Sequence, residues 1–156
     1  MTGAAENMMT GQCMCGDVRF TARDVPTEYG TCHCEMCRRW TGSALLGVSV
    51  PEGNVTWDGR ENIAVRQSSD WAERAWCKNC GTGLWFRVTM DSKWAGNYEI
   101  PLGLFDAADD FTMTSEIYID HKPASFAYAG AGRTVMTRQE CVEKFSVLDS
   151  DQGDIS

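Results

Sequence analysis

The sequence predicts a small, mostly β domain. Its 156 residues fit one domain that can bury a core without covalent cross-links. Short apolar or alternating stretches recur between turn signals. Eight cysteines are closely spaced, and residues 1–7 carry neither the basic nor the apolar region of a secretory signal. We therefore expect a reducing, cytoplasmic compartment, in which such cysteines are metal ligands or redox centres rather than disulfides.

Turn signals divide the chain into a series of short strands. Strands are expected over residues 17–22, 44–50, 55–57, 63–66, 84–89, 98–103 and 115–120. The single domain should cover residues 11–148. A flexible tail over residues 1–10 and an acidic, solvated tail over residues 149–156 should flank it.

A short helix is expected near the end of the domain. Thr137 and Glu140 have the spacing of a capping box, which begins a helix. On that helix Cys141, Phe145 and Leu148 fall on one face. Cys141 is therefore predicted to be a small core residue rather than a metal ligand.

The charge of the chain argues against two classes of partner. A net charge of −8 and an isoelectric point near 4.7 do not fit nucleic-acid binding, which needs clustered Lys and Arg. The longest apolar run, residues 44–50, is too short to cross a bilayer. Any anionic ligand would need a local positive patch, and Arg38 and Arg39 are the candidate anchors for a substrate carboxylate.

Two pairs of cysteines predict one closed metal site. Cys13 and Cys15 are two apart in extended chain and point to the same side, where Gly16 can turn the backbone. Cys77 and Cys80 have the spacing of a zinc knuckle. Each pair lacks two donors, so the four thiolates together complete a tetrahedral, structural zinc site.

The other three cysteines predict an open metal site. Cys32, Cys34 and Cys37 lie within six positions and can bind one zinc ion, leaving its fourth position to water or substrate. A tight or helical turn should run through Cys37 and Trp40. His33 points away from the neighbouring thiols, so it should be exposed or orient a ligand. An open site of this kind can hold a thiol as a thiolate, which indicates chemistry at a carbon–sulfur bond.

These residues resemble a known family. The resemblance is carried by Cys13-x-Cys15-Gly16, by Cys32-His33-Cys34-x-x-Cys37-Arg38 with Thr41-Gly42-Ser43, and by Cys77-x-x-Cys80-Gly81-Thr82. Over roughly residues 10–128 the pattern is similar to the glutathione-dependent formaldehyde-activating enzymes, the family shared with centromere protein V. The resemblance implies a β-tent fold of small mixed antiparallel sheets stapled by zinc, with short helical turns. It also implies a structural zinc on the first and third motifs and a catalytic zinc on the second.

The same resemblance implies an activity, and two alternatives stay open beside it. The implied reaction is condensation of formaldehyde with glutathione to S-(hydroxymethyl)glutathione, a carbon–sulfur lyase reaction read in reverse. The first alternative is a non-catalytic binding module in which a side chain such as His33 fills the open zinc position. The second is a redox enzyme resembling methionine sulfoxide reductase type B, with Cys141 as its reactive thiol. Four tryptophans can line a pocket or the core: Trp71, Trp76, Trp85 and Trp94.

Overall fold

The computed structural model describes residues 7–148, and within that range the chain forms eleven strands and two α-helices. The strands are β1 (Met8–Gln12), β2 (Arg19–Arg23), β3 (Glu28–Cys32), β4 (Leu45–Pro51), β5 (Val55–Asp58), β6 (Ile63–Gln67), β7 (Ala72–Cys77), β8 (Gly83–Val88), β9 (Asn97–Pro101), β10 (Thr112–Ile117) and β11 (Thr134–Val135). The helices are α1 (Glu35–Thr41) and α2 (Arg138–Lys144). The predicted mostly β fold is confirmed.

The strands form two sheets of different character. The smaller sheet has the order β1-β2-β5 and is antiparallel throughout. The larger sheet has the order β11-β10-β3-β4-β9-β8-β7-β6, and β10 runs parallel to both β3 and β11. The remaining neighbours in the larger sheet are antiparallel. The larger sheet is therefore mixed, and β3, which ends in the central cysteine motif, lies inside it rather than at an edge.

Strand β1 differs from the sequence prediction, which placed residues 1–10 in a flexible tail. Its sequence does not alternate polar with apolar side chains, so the pattern does not predict a strand. Backbone pairing with β2 stabilises it instead. Gly11 lies against Phe20, where an added Cβ would approach the ring to 2.4 Å. The rest of the two predicted tails, residues 1–6 and 149–156, lies outside the described residues.

The two faces of the larger sheet have different neighbours. One face packs on the smaller sheet, and the Trp57 and Trp85 rings meet there at 4.7 Å between centroids. The other face packs on α1 and α2 in a second apolar cluster, which contains Cys37 and Cys141. The helices therefore cover the face to which the central cysteine motif leads.

Helix α2 begins as the capping box predicts. The Thr137 hydroxyl accepts from the Glu140 amide at 3.2 Å, and the Glu140 carboxylate accepts from the Thr137 amide at 2.9 Å. Cys141 is fully buried, as the helix pattern predicts. Among residues 7–148 no helix is long and apolar enough to cross a membrane.

Candidate metal centres and cavity

The structure gathers the first and last cysteine pairs into one four-thiol cluster. Its members are Cys13, Cys15, Cys77 and Cys80, whose sulfur atoms all lie within 4.8 Å of one another. The sulfur of Cys15 lies 3.6 Å from that of Cys13 and 3.8 Å from that of Cys77. The cluster therefore joins the loop between β1 and β2 to the hairpin between β7 and β8, and it can hold a metal ion.

Local turns direct the backbone and one hydroxyl group at this cluster. Gly16 has a φ of 85°, in the left-handed region, and the chain turns there so that the Val18 amide reaches the Cys13 sulfur at 3.4 Å. The Thr82 hydroxyl accepts from the backbone amide of the first loop and contacts the Cys80 sulfur at 3.2 Å. Its hydrogen bond lowers the pKa of Cys80 to about 6. These contacts therefore favour the thiolate form at Cys80.

The central motif forms a second, three-thiol cluster of Cys32, Cys34 and Cys37. Cys32 ends β3, while Cys34 is the N-cap of α1 and accepts from the Cys37 amide at 3.3 Å. The helix ends at Gly42, which has a φ of 87°. The sulfur atoms lie within 4.8 Å of one another, so this group can also hold a metal ion. The short helical turn expected here is observed.

Among the three thiols, that of Cys34 is the most acidic. Hydrogen bonds from the Cys32 and Cys37 thiols lower the pKa of Cys34 to about 3, and Arg74 also favours the Cys34 thiolate. The hydrogen bond to Cys34 raises the pKa of Cys32 well above its ordinary value. The cluster therefore presents an anionic sulfur that a bound cation would stabilise.

Arg74 of β7 is the positive group at this cluster. Its side chain is buried, and its two terminal nitrogens lie 3.6 and 3.8 Å from the Cys37 sulfur. The guanidinium lies between the Trp40 and Phe86 rings, at 4.8 and 4.9 Å from their centroids. Within residues 7–148 no carboxylate pairs with it. Sequence reasoning missed Arg74, although a charged pair, Glu73 and Arg74, in the strand that leads into the knuckle is a signal that could have found it.

A cavity of about 750 Å³ opens beside the three-thiol cluster. All three of these thiols line it, together with Arg74 and the aromatic rings of Trp71, Phe86, Trp94 and Phe145. The four-thiol cluster does not line this cavity. Of the four tryptophans that the sequence analysis singled out, Trp71 and Trp94 therefore face the cavity, while Trp85 belongs to the core. A cavity with apolar walls next to an anionic cluster of thiols suits a small organic substrate.

His33 lies between two of these thiols in sequence but on the other side of the strand. The ring is buried, and its Nε2 lies 2.8 Å from the Glu116 carboxylate. Burial raises the pKa of Glu116, but hydrogen bonds from Arg133 and His33 lower it below its ordinary value. His33 therefore anchors the motif strand to β10. It does not fill the fourth position of the three-thiol cluster.

Arg38 and Arg39 do not reach the cavity. Successive helical residues are about 100° apart, so these side chains turn away from the Cys37 sulfur. They line a separate pocket of about 450 Å³ with Ser43 and Phe126. Arg39 also lies 3.7 Å from Glu35 on the same helix. The structure does not place either arginine where it would hold a substrate carboxylate next to the three thiols.

Cys141 belongs to neither thiol cluster. It is fully buried under α2, and burial raises the pKa of its thiol. A redox role needs an accessible thiolate. Cys141 does not have that environment.

The chain is similar to known proteins over both thiol clusters. The family model described as glutathione-dependent formaldehyde-activating enzyme matches residues 8–121. An uncharacterized lyase of Schizosaccharomyces pombe is 33% identical over 119 residues, which cover 76% of this chain and 84% of that protein. A Halomonas elongata protein, provisionally named as a glutathione-dependent formaldehyde-activating enzyme, is 26% identical over 95 residues, covering 56% of this chain and 59% of its own. A Rhodobacter sphaeroides protein of known crystal structure shares the fold, with a TM-score of 0.52 and 17% identity over 83% of this chain and 100% of that one.

Proposed function

Because this chain belongs to the glutathione-dependent formaldehyde-activating enzyme family, we propose that it is a zinc-dependent lyase that makes or breaks the carbon–sulfur bond of thiol–aldehyde adducts. S-(Hydroxymethyl)glutathione, from formaldehyde and glutathione, is the adduct that the family name favours. The relative described as a lyase supports the reaction class. One observation carries the proposal: the cluster with only three thiols faces a cavity of about 750 Å³, whereas the four-thiol cluster faces none of it.

Zinc suits the donor atoms of both clusters. A Zn–S distance of about 2.3 Å puts the sulfur atoms of a tetrahedral site about 3.8 Å apart. The Cys15 sulfur lies 3.6 and 3.8 Å from two of its neighbours in the four-thiol cluster. In the other cluster the low pKa of Cys34 provides an anionic sulfur. We therefore propose a structural zinc on four thiolates and a catalytic zinc on Cys32, Cys34 and Cys37, with one position left for substrate.

The residues around the three thiols suit addition of sulfur to an aldehyde. In the synthetic direction the thiolate sulfur bonds to the aldehyde carbon, the carbon–oxygen π bond breaks and the oxygen takes up one proton. Bound zinc supplies the positive charge that keeps a substrate thiol deprotonated at neutral pH. Arg74 adds a second, permanent positive charge beside Cys37, which offsets the negative charge of the sulfurs. The Trp71 and Phe86 rings form apolar walls of the cavity beside the three thiols.

The proposal is tested by adduct exchange in solution. Zinc-loaded protein would be mixed with glutathione and formaldehyde, and nuclear magnetic resonance would measure exchange between free aldehyde and adduct. We expect exchange faster than the uncatalysed rate, and about two zinc ions per chain by metal analysis. The Cys141→Ser variant should keep the acceleration. Two bound zinc ions without acceleration by any small thiol would contradict the lyase and favour a binding module.

A further inference from the structure

The floor of the cavity is one face of the larger sheet, and a pair of glycines lies in the middle of that floor. Cys32 of β3 pairs with Leu45 of β4 at the thiol end of the floor. Residues two apart along a strand share a face, so Gly30 and Gly47, which also pair, form the next row. All four of these residues line the cavity. A Cβ at Gly47 would stand 3.6 Å from a carboxylate oxygen of Glu99, and a Cβ at Gly30 would stand 2.7 Å from the Ser115 hydroxyl. The glycine row therefore leaves room on the floor for these polar side chains.

The next row of residues along the cavity floor carries a carboxyl group. Ser49 of β4 pairs with Glu99 of β9, and the Ser49 hydroxyl donates a hydrogen bond to the Glu99 carboxylate. Both residues line the cavity. A strand rises about 3.3 Å per residue, so Ser49 lies about 13 Å along β4 from Leu45. The backbone positions of the thiol end and of this carboxyl group are therefore separated along the cavity floor, and a Glu99 carboxylate oxygen lies 3.6 Å from the Cβ position of Gly47.

Glu99 is half-buried, and it differs from the two carboxylates that the fold buries, Glu73 and Glu116. Glu73 pairs with Arg87 at 3.0 Å, and Glu116 pairs with Arg133 at 2.7 Å. Within the described part of the chain Glu99 forms no salt bridge, and burial raises the pKa of its carboxyl group. A carboxylate partly withdrawn from water is stabilised by a compensating charge. Because Glu99 faces the cavity, a ligand can supply that charge.

The arrangement of charges on the floor keeps Glu99 available. Phe86 of β8 pairs with Glu99 on one side and with Arg74 on the other. The Arg74 guanidinium is turned towards the Cys37 sulfur, 3.6 Å away, with its carbon 4.9 Å from the centre of the Phe86 ring. A cation and an anion thus face one cavity without pairing to each other. An elongated ligand with a negative sulfur at one end and a positive group at the other complements both.

We propose that Glu99 and Ser49 form a subsite for the ammonium group of the substrate thiol, so that the enzyme selects peptide-sized thiols that carry a free amine far from the sulfur. This inference rests on the proposed function, since it places the substrate sulfur at the three-thiol cluster. The Glu99 carboxylate accepts the charged hydrogen bond from the ammonium group. Ser49 holds the carboxylate towards the cavity. Short thiols can still react, but they leave this subsite empty.

The experiment compares two thiols that differ only at the amine. Glutathione and N-acetylglutathione have the same sulfur and the same backbone, but only glutathione carries an ammonium group. Calorimetry on zinc-loaded protein would give a dissociation constant for each, without any need for turnover. We expect the wild type to bind glutathione at least about tenfold more tightly, the size of one charged hydrogen bond. In Glu99→Gln, which keeps the shape of the side chain, the two constants should agree within about twofold.

A matched variant and two outcomes make the test decisive. Glu28 also lines the cavity but is exposed, so Glu28→Gln should retain the full preference for glutathione. If Glu99→Gln also retains it, or if the wild type binds both thiols equally, the ammonium subsite is wrong while the lyase proposal stands. If neither thiol binds to zinc-loaded wild-type protein, the proposed function fails together with the subsite.

Discussion

The four-thiol cluster joins two loops that are 62 residues apart in sequence, whereas the three-thiol cluster lies within one turn at the end of β3. The donors of the four-thiol cluster come from loops of both sheets, so a metal ion there reinforces a junction that is otherwise held by the core and by a few hydrogen bonds, such as that from the Met14 amide to the Thr82 hydroxyl. The donors of the three-thiol cluster are already brought together by β3 and the N-cap of α1. Loss of a metal ion should therefore affect folding at the first cluster more than at the second.

The two clusters also differ in the groups that stabilise the negative charge of their sulfurs. The four-thiol cluster receives a backbone amide at Cys13 and the Thr82 hydroxyl at Cys80. The three-thiol cluster receives a whole positive charge, from Arg74, and opens on the cavity. Four thiolates complete the coordination of a zinc ion, but three leave it able to accept another ligand. The missing donor, rather than the kind of donor, therefore separates the open thiol cluster from the closed one.

The largest expected effect is that of Cys77→Ser in the four-thiol cluster. A structural zinc site contributes about 10–16 kcal/mol, which is comparable to or larger than the roughly 5–15 kcal/mol that stabilises a domain. We expect this variant to lose its cooperative thermal transition and its near-ultraviolet circular dichroism. A variant that keeps both and binds one zinc ion fewer would show that the core and the hydrogen bonds between the two loops hold them together without the metal ion.

The next largest effect should come from Cys34→Ser in the three-thiol cluster. Cys34 is the thiol with the lowest pKa in that cluster, and it also caps α1. Changes one shell away from a metal already cost about 10–100-fold, so loss of a ligand should lower activity by at least about 100-fold. The fold should persist because serine is itself a good N-cap residue. Metal analysis should find one zinc ion fewer, and a fully active variant would contradict the assignment of the catalytic site.

A smaller effect is expected from Arg74→Met, which removes the charge beside Cys37. Methionine is shorter, but it is unbranched and apolar, so it can still pack against the Trp40 and Phe86 rings that contact the guanidinium. Zinc affinity at the three-thiol cluster, measured by chelator competition, should fall by about 10–100-fold. Arg74→Lys retains a positive charge and should recover part of that affinity, although it lacks the planar fork of arginine. Equal affinity in all three proteins would mean that Arg74 serves packing alone.

The parts of this molecule that the sequence predicts are those whose causes are local. The spacing of seven cysteines predicts the same two groups that the structure brings together. The capping box at Thr137 and the helical turn after Cys34 depend on residues within a few positions of each other. Each of these features has a geometry that a short peptide segment already limits. Their prediction needs no knowledge of how the sheets assemble.

The parts that escaped prediction depend on contacts between distant strands. Arg74 meets Cys37 across 37 positions, and only the order of the strands brings β7 to that helix. Glu99 acquires its role because Phe86 separates it from Arg74, which is a matter of register. The parallel pairing of β10 with β3 leaves no signal in either strand. Adjacency in sequence also gives no information on the cavity, since Arg38 follows Cys37 directly but lines another pocket.

The smallest effect should come from the double variant Arg38→Ala with Arg39→Ala. Neither side chain lines the cavity, and the ion pair of Arg39 with Glu35 spans 3.7 Å between two exposed groups. Such pairs contribute little, so the free energy of unfolding in urea should change by less than about 1 kcal/mol. The KM for glutathione should also stay within about twofold, because binding sites lined by other residues should not respond to remote surface charges screened by salt. A tenfold rise in KM without a change in kcat would instead return these arginines to the substrate site, and would mean that the thiol reaches the three-thiol cluster from their side of α1.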